Sequence, residues 1–226
     1  MKINILSLYS DILNLYGDTG NIKAINYHLN KLGIDHNIDY LSINDDLDFE
    51  KYDLIVIGSG TEYNRDIALD HLLKYKDKVK KAIEDNKFFL VTGNSLSLFG
   101  KSIYDKNALD IFNYITLETD RVSEEVILKN KFGKDIYGLI NHQDKIENNE
   151  DKLFENDGIL YKNFYGTTVI GPLLARNPEF LNYFLKRLIK SKDENFKVEL
   201  NLDLDILAYD QYIEFKKTKV FNSRHS

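Results

Sequence analysis

The residues around Gly93 have the spacing of a reactive elbow. Lys87–Thr92 (KFFLVT) reads as a short buried strand, Gly93-Asn94-Ser95 as a tight turn, and Leu96–Gly100 as the start of a helix. A sharp strand-to-helix turn lifts one side chain above a sheet and aims backbone N–H groups at a developing negative charge. Acyl-transfer enzymes place Cys or Ser at such a turn. The chain has no cysteine, which excludes thiol catalysis, disulfides and thiolate metal sites. Gly93-Asn94-Ser95-Leu96-Ser97 partly matches the Gly-x-Ser-x-Gly serine elbow, with Ser97 in place of the last glycine. Ser95 is thus a candidate nucleophile if a general base stands beside it. A small serine in this position also suits a turn or a helix N-cap.

The elements that must position this turn follow an α/β order. Ile3–Leu8 reads as a first strand. Asn21–Leu32 carries Ile22, Ile25, Leu29 and Leu32 at helical spacing, with Gly33 as its stop. His36–Leu41 is a second strand. Asp53–Gly58 is an apolar run of the kind buried on both faces of a parallel sheet. Ile67–Asn86 reads as one charged amphipathic helix. Tyr114–Leu117, Glu125–Lys129, Ile136–Ile140 and Tyr165–Ile170 read as further strands, and Asn148–Asp157 as an acidic, Asn-rich loop. Pro178–Ser191 is a helix with Phe180, Phe184, Leu185 and Leu188 on one face, and Asp203–Phe215 a last helix. The order predicts a mostly parallel central sheet flanked by helices. No repeat or linker divides residues 1–226, so one domain is expected.

Composition bounds the function. The chain has 226 residues, 43% hydrophobic and 29% charged, with a formal net charge of −6. That balance argues against a nucleic-acid surface or a basic membrane patch. No apolar run approaches the length of a membrane span. Met1–Tyr9 lacks the features of a signal peptide, so a cytoplasmic location is expected. Nothing in the residue pattern calls for a metal or a cofactor.

Several segments resemble one family. Leu8–Ile22 (LYSDILNLYGDTGNI) is similar to the opening of the glutaminase subunit of lipid II isoglutaminyl synthase, a cobyric-acid-synthase-like class I glutamine amidotransferase. Gly166–Pro178 (GTTVIGPLLARNP) resembles the family's later signature. Gly138–His142 (GLINH) resembles its Gly-Phe-Glu-Asn-His stretch, and Gly58-Ser59-Gly60 falls where the family has a glycine-rich oxyanion loop. The resemblance implies a flavodoxin-like class I glutaminase fold. Gap-free matching places the family's catalytic Cys at Gly93 and its catalytic His at Ile170. Glycine cannot attack a carboxamide and isoleucine cannot relay a proton. Both hydrolytic groups are therefore replaced.

The resemblance implies roles for other residues. Gly58, Ser59, Gly60, Asn94 and Arg121 correspond to substrate-binding positions, for glutamine or another small ligand. The family's glutaminase feeds ammonia to a Mur-ligase-like synthetase subunit in peptidoglycan amidation, and Tyr16, Gly17, Asp18 and Asn21 are expected to face that partner. Three functions are consistent with these residues. The chain is a non-hydrolytic partner of the synthetase, a remodelled hydrolase or amidotransferase using Ser95, or a sensor that binds glutamine or another amino acid without turnover.

Overall fold

The computed structural model describes residues 1–147 and 151–223. The main sheet has the order β2-β1-β3-β4-β10-β9. Its strands are β1 (Lys2–Leu8), β2 (Asp35–Leu41), β3 (Leu54–Ile57), β4 (Phe88–Thr92), β9 (Ile159–Tyr161) and β10 (Phe164–Thr167). All neighbours pair in parallel except β9, which runs antiparallel to β10 at the edge. The expected parallel α/β sheet is thus observed, and Gly93 follows a central strand.

The continuous apolar runs are explained by two cores, one on each face. In β3, Ile55 and Ile57 face one core and Leu54 and Val56 the other; in β4, Phe89 and Val91 oppose Phe88 and Leu90. Helices α2 (Glu62–Leu72) and α3 (Lys76–Glu84) cover the first face through Leu69, Leu72, Val79 and Ile83. Helices α1 (Thr19–Lys31) and α5 (Pro178–Lys192) cover the second through Ile22, Ile25, Leu29, Phe184 and Leu188. Gly33 ends α1 at φ +66°, in the left-handed region glycine enters without steric cost.

The chain between β4 and β10 forms a second sheet, β6-β5-β7-β8. Strands β5 (Ser102–Ile103) and β6 (Lys106–Asn107) are short, while β7 (Ile115–Leu128) and β8 (Ile136–Glu147) form a long antiparallel ribbon. The expected pair of strands Tyr114–Leu117 and Glu125–Lys129 is one strand. The charged stretch between them lacks a period-2 pattern because both of its faces are exposed, and only backbone pairing with β8 makes it extended. Ile136–Ile140 likewise runs on to Glu147.

Three helical expectations also change. Ile67–Asn86 begins earlier, at Glu62, where Thr61 Oγ1 accepts from Asn64 N–H at 3.1 Å, and it breaks at a 3-10 turn, Leu73–Tyr75. The segment after Gly93 is a 3-10 turn, Gly93–Phe99, not an α-helix. The last helix, α6, extends over Asp203–Ser223, preceded by a short α4 (Leu173–Arg176) and by α5. Part of the Asn148–Asp157 loop, residues 148–150, lies outside the described residues. Among the described residues no helix is long and apolar enough to cross a membrane.

Candidate functional site

Four loops meet at the carboxyl end of the main sheet, where open α/β sheets hold ligands. They follow β1 (Tyr9–Asp18), β3 (Gly58–Thr61), β4 (from Gly93) and β10 (Thr168–Gly171). Gly93 has φ +64°, the conformation of a reactive elbow. A Cβ built on it would stand 2.5 Å from Ser59 Cβ and 2.6 Å from Ile170 Cγ2. Gly93, Ser59 and Ile170 therefore converge in one contact shell, as the sequence alignment requires. The volume a side chain would need at residue 93 is occupied by the other two.

Two N–H groups of the Gly58–Gly60 loop are also engaged. Ser59 N–H donates to Asp18 Oδ2 at 3.2 Å, and Gly60 N–H donates to Asn94 Oδ1 at 3.3 Å. Asn94 holds the loop from both ends of its amide: its Oδ1 also accepts from Ser59 Oγ at 3.1 Å, and its Nδ2 donates to Gly60 O at 2.9 Å. An oxyanion needs such donors unspent and pre-aimed. Here they stabilise the loop itself.

Ser95 is fully buried, and its hydroxyl donates to Gly58 O at 2.5 Å. Among the described residues no histidine bonds to it. His142 lies on β8, lining a cavity of about 360 Å³ together with Leu96, Thr119, Val122 and Thr168. Its Nδ1 is buried and has no hydrogen-bond partner among the described residues. Among the described residues Ser95 thus has no hydrogen-bonded base of the kind the serine elbow requires.

Asp18 and Asn21 have internal partners, contrary to the expectation that they face another protein. Asp18 is 2% exposed and accepts from Thr92 Oγ1 at 2.6 Å as well as from Ser59. Burial pushes its carboxyl up to about 6, and the hydrogen bonds from Thr92, Ser59 and the Gly171 backbone oppose that rise only in part. Asn21 is fully buried; its amide donates to Gly171 O at 3.4 Å and accepts from Leu174 N–H at 2.8 Å. A Cβ on Gly20 would meet Pro172 Cβ at 2.6 Å. The two longest matched segments, Leu8–Ile22 and Gly166–Pro178, are therefore docked onto one another. Tyr16 and Gly17 do reach the surface.

Arg121 sits on the exposed ribbon. Its guanidinium donates to Glu62 Oε1 at 2.6 Å and to Asn141 Oδ1 at 3.0 Å, and Asn141 Nδ2 donates to Tyr16 Oη at 2.7 Å. Its charge is matched by Glu62 instead of standing open to a ligand carboxylate. Two structural residues escape a sequence reading. Thr92, the polar end of an apolar run, is the only sign of the bond to Asp18. Arg65, 1% exposed, pairs with Asp144 at 2.8 Å, and Tyr104 donates to the same carboxylate at 2.5 Å. Nothing in its helical surroundings marks it as buried.

No family profile matches the chain. Two curated proteins are similar to it over nearly its whole length. The lipid II isoglutaminyl synthase (glutamine-hydrolyzing) subunit GatD of Streptococcus pneumoniae is 28% identical over 242 residues, covering 96% of this chain and 92% of the relative. The protein of the same description from Staphylococcus aureus is 28% identical over 229 residues, covering 92% and 93%. The chain thus resembles the glutamine-hydrolyzing GatD subunit of lipid II isoglutaminyl synthase over more than nine-tenths of its length, and its α/β fold agrees with that resemblance.

Proposed function

We propose that this chain is a glutaminase-like subunit that no longer hydrolyses glutamine and serves as the non-hydrolytic partner of a Mur-ligase-like synthetase in peptidoglycan amidation. One observation carries the reading: the place of the nucleophile is filled, with Ser59 and Ile170 closing on Gly93. The bonded state of Ser59 N–H and Gly60 N–H supports it, since a tetrahedral intermediate would find neither donor open. Residues 1–226 act as one unit in this reading, and the synthetase takes free ammonium as its nitrogen source. Tyr16 and Gly17 form part of the docking surface; Asp18 and Asn21 brace it from within.

The test is co-purification of the full chain with the synthetase subunit from the same genome, alongside an ammonia-release assay with glutamine. A complex without ammonia release is expected. Release of ammonia by the purified chain overturns the loss of hydrolysis. Absence of a complex at micromolar concentrations overturns the partnership.

A second reading, an amino-acid sensor, is favoured by the cavity beside Leu96 and the unpartnered Nδ1 of His142 within its wall. A buried polar atom without a partner costs free energy that a ligand would recover. Calorimetric titration with glutamine separates the two, because only the sensor requires heat of binding to the isolated chain.

A further inference from the structure

Strand β5 covers only Ile115 and Thr116 of β7, and β8 takes the opposite edge. From Leu117 to Leu128 one edge of β7 meets no other strand among the described residues. Leu117–Glu125 is exposed along its length, with Val122 at 38%, and Ile127 beyond it at 47%. Alternate residues of such a strand turn N–H and C=O groups outward, a ready template for another strand. The one irregularity, between Glu118 and Val122, leaves Val122–Leu128 in unbroken register.

Charge selects the occupant. Glu118, Asp120, Glu124 and Glu125 outnumber Arg121 on this stretch. Arg121 is paired with Glu62, and Glu125 with Lys216, whereas Asp120 and Glu124 form no ion pair among the described residues. A second copy laid antiparallel would set one acidic stretch against another, which is unfavourable across strands. A basic extended segment would complement it. Position points the same way. Ile170 N–H donates to Leu139 O of β8 at 2.9 Å, so the ribbon is rooted in the filled site. A strand added to β7 would lie about 10 Å from β8, the strand whose Asn141 bonds to Tyr16.

Building on the partnership proposed above, we infer that an extended, lysine- or arginine-bearing segment of the synthetase subunit adds to the open edge of β7 over Leu117–Leu128. Backbone bonds then give the affinity and the acidic side chains select the partner. The test uses the full chain and the full synthetase subunit from the same genome. Amide hydrogen exchange over Leu117–Leu128 should slow at least tenfold on binding. The double variant Asp120→Lys/Glu124→Lys, exposed on both counts, should raise Kd at least tenfold. A complex whose formation leaves both exchange across β7 and the variant's Kd unchanged overturns this docking and leaves the partnership standing. No complex removes the partnership and the docking together. Protection of β7 on concentrating the chain alone would assign the edge to a second copy and overturn the inference.

Discussion

Gly93 and Ile170 share one volume: a methyl group added to the glycine would stand 2.6 Å from Ile170 Cγ2. The positive φ of Gly93 adds a second obstacle, since L side chains are strained there. Gly93→Cys is therefore expected to lower stability by roughly 2–4 kcal/mol, combining overpacking with backbone strain, and to release no ammonia from glutamine. Adding Ser59→Gly and Ile170→His should recover part of that loss. Thermal unfolding of the single and triple variants measures this; a Gly93→Cys protein as stable as the parent would show that the site is open.

Ser95→Ala should leave glutamine turnover at background while destabilising the fold. Its hydroxyl is the donor to Gly58 O, and an unsatisfied buried carbonyl costs about 1–3 kcal/mol. A hydrolytic signal in the parent that disappears in this variant would instead identify a working serine.

Asp18 predicts a pH effect of definite sign. Its folded-state value of about 6 lies above the ordinary 3.8. Ionisation is then easier in the unfolded chain, so the charged form destabilises the fold by roughly 3 kcal/mol. That penalty is complete above pH 6 and disappears as pH falls from about 6 to below about 4. Asp18→Asn should remove this component, so the difference in urea midpoint between parent and variant should change across that window. A constant difference from pH 4 to pH 7 would contradict the buried, proton-prone carboxyl.

The Arg65–Asp144 pair joins α2 to the ribbon, with both side chains buried. Arg65→Met leaves Asp144 buried without its cation and should cost about 3–5 kcal/mol. Arg65→Met/Asp144→Leu should regain much of it, because a well-packed apolar pair is often no worse than a buried ion pair. Chemical denaturation of the single and double variants decides; equal loss in both would mean the ion pair is not the joint.

The main sheet was legible because its strands are buried on both faces. Ile55, Val56, Phe89 and Leu90 can only be core. The ribbon was not, because Glu118–Glu125 is exposed and follows no periodicity. The break at Leu73–Tyr75 carries no Gly or Pro to announce it. At the site, gap-free matching brought Gly58–Gly60, Gly93 and Ile170 together correctly. It gave no warning that Asp18 is internal, since Tyr16-Gly17-Asp18 has the composition of a surface turn and its partners Ser59 and Thr92 lie 41 and 74 positions away.

The order of strands has a consequence for how the chain emerges from the ribosome. Strand β4 finds its neighbour β3 at once, but its other edge is covered only by β10. Everything between Thr92 and Phe164, including the second sheet, must be synthesised first. At ~5–20 residues per second that interval lasts several seconds. During it the segment Phe88-Phe89-Leu90-Val91, uncharged and rich in β-formers, presents an unpaired edge of the kind that seeds intermolecular sheets. Slowed elongation across residues 93–163, or depletion of chaperones that hold nascent strands, should therefore lower the soluble yield without altering the finished molecule.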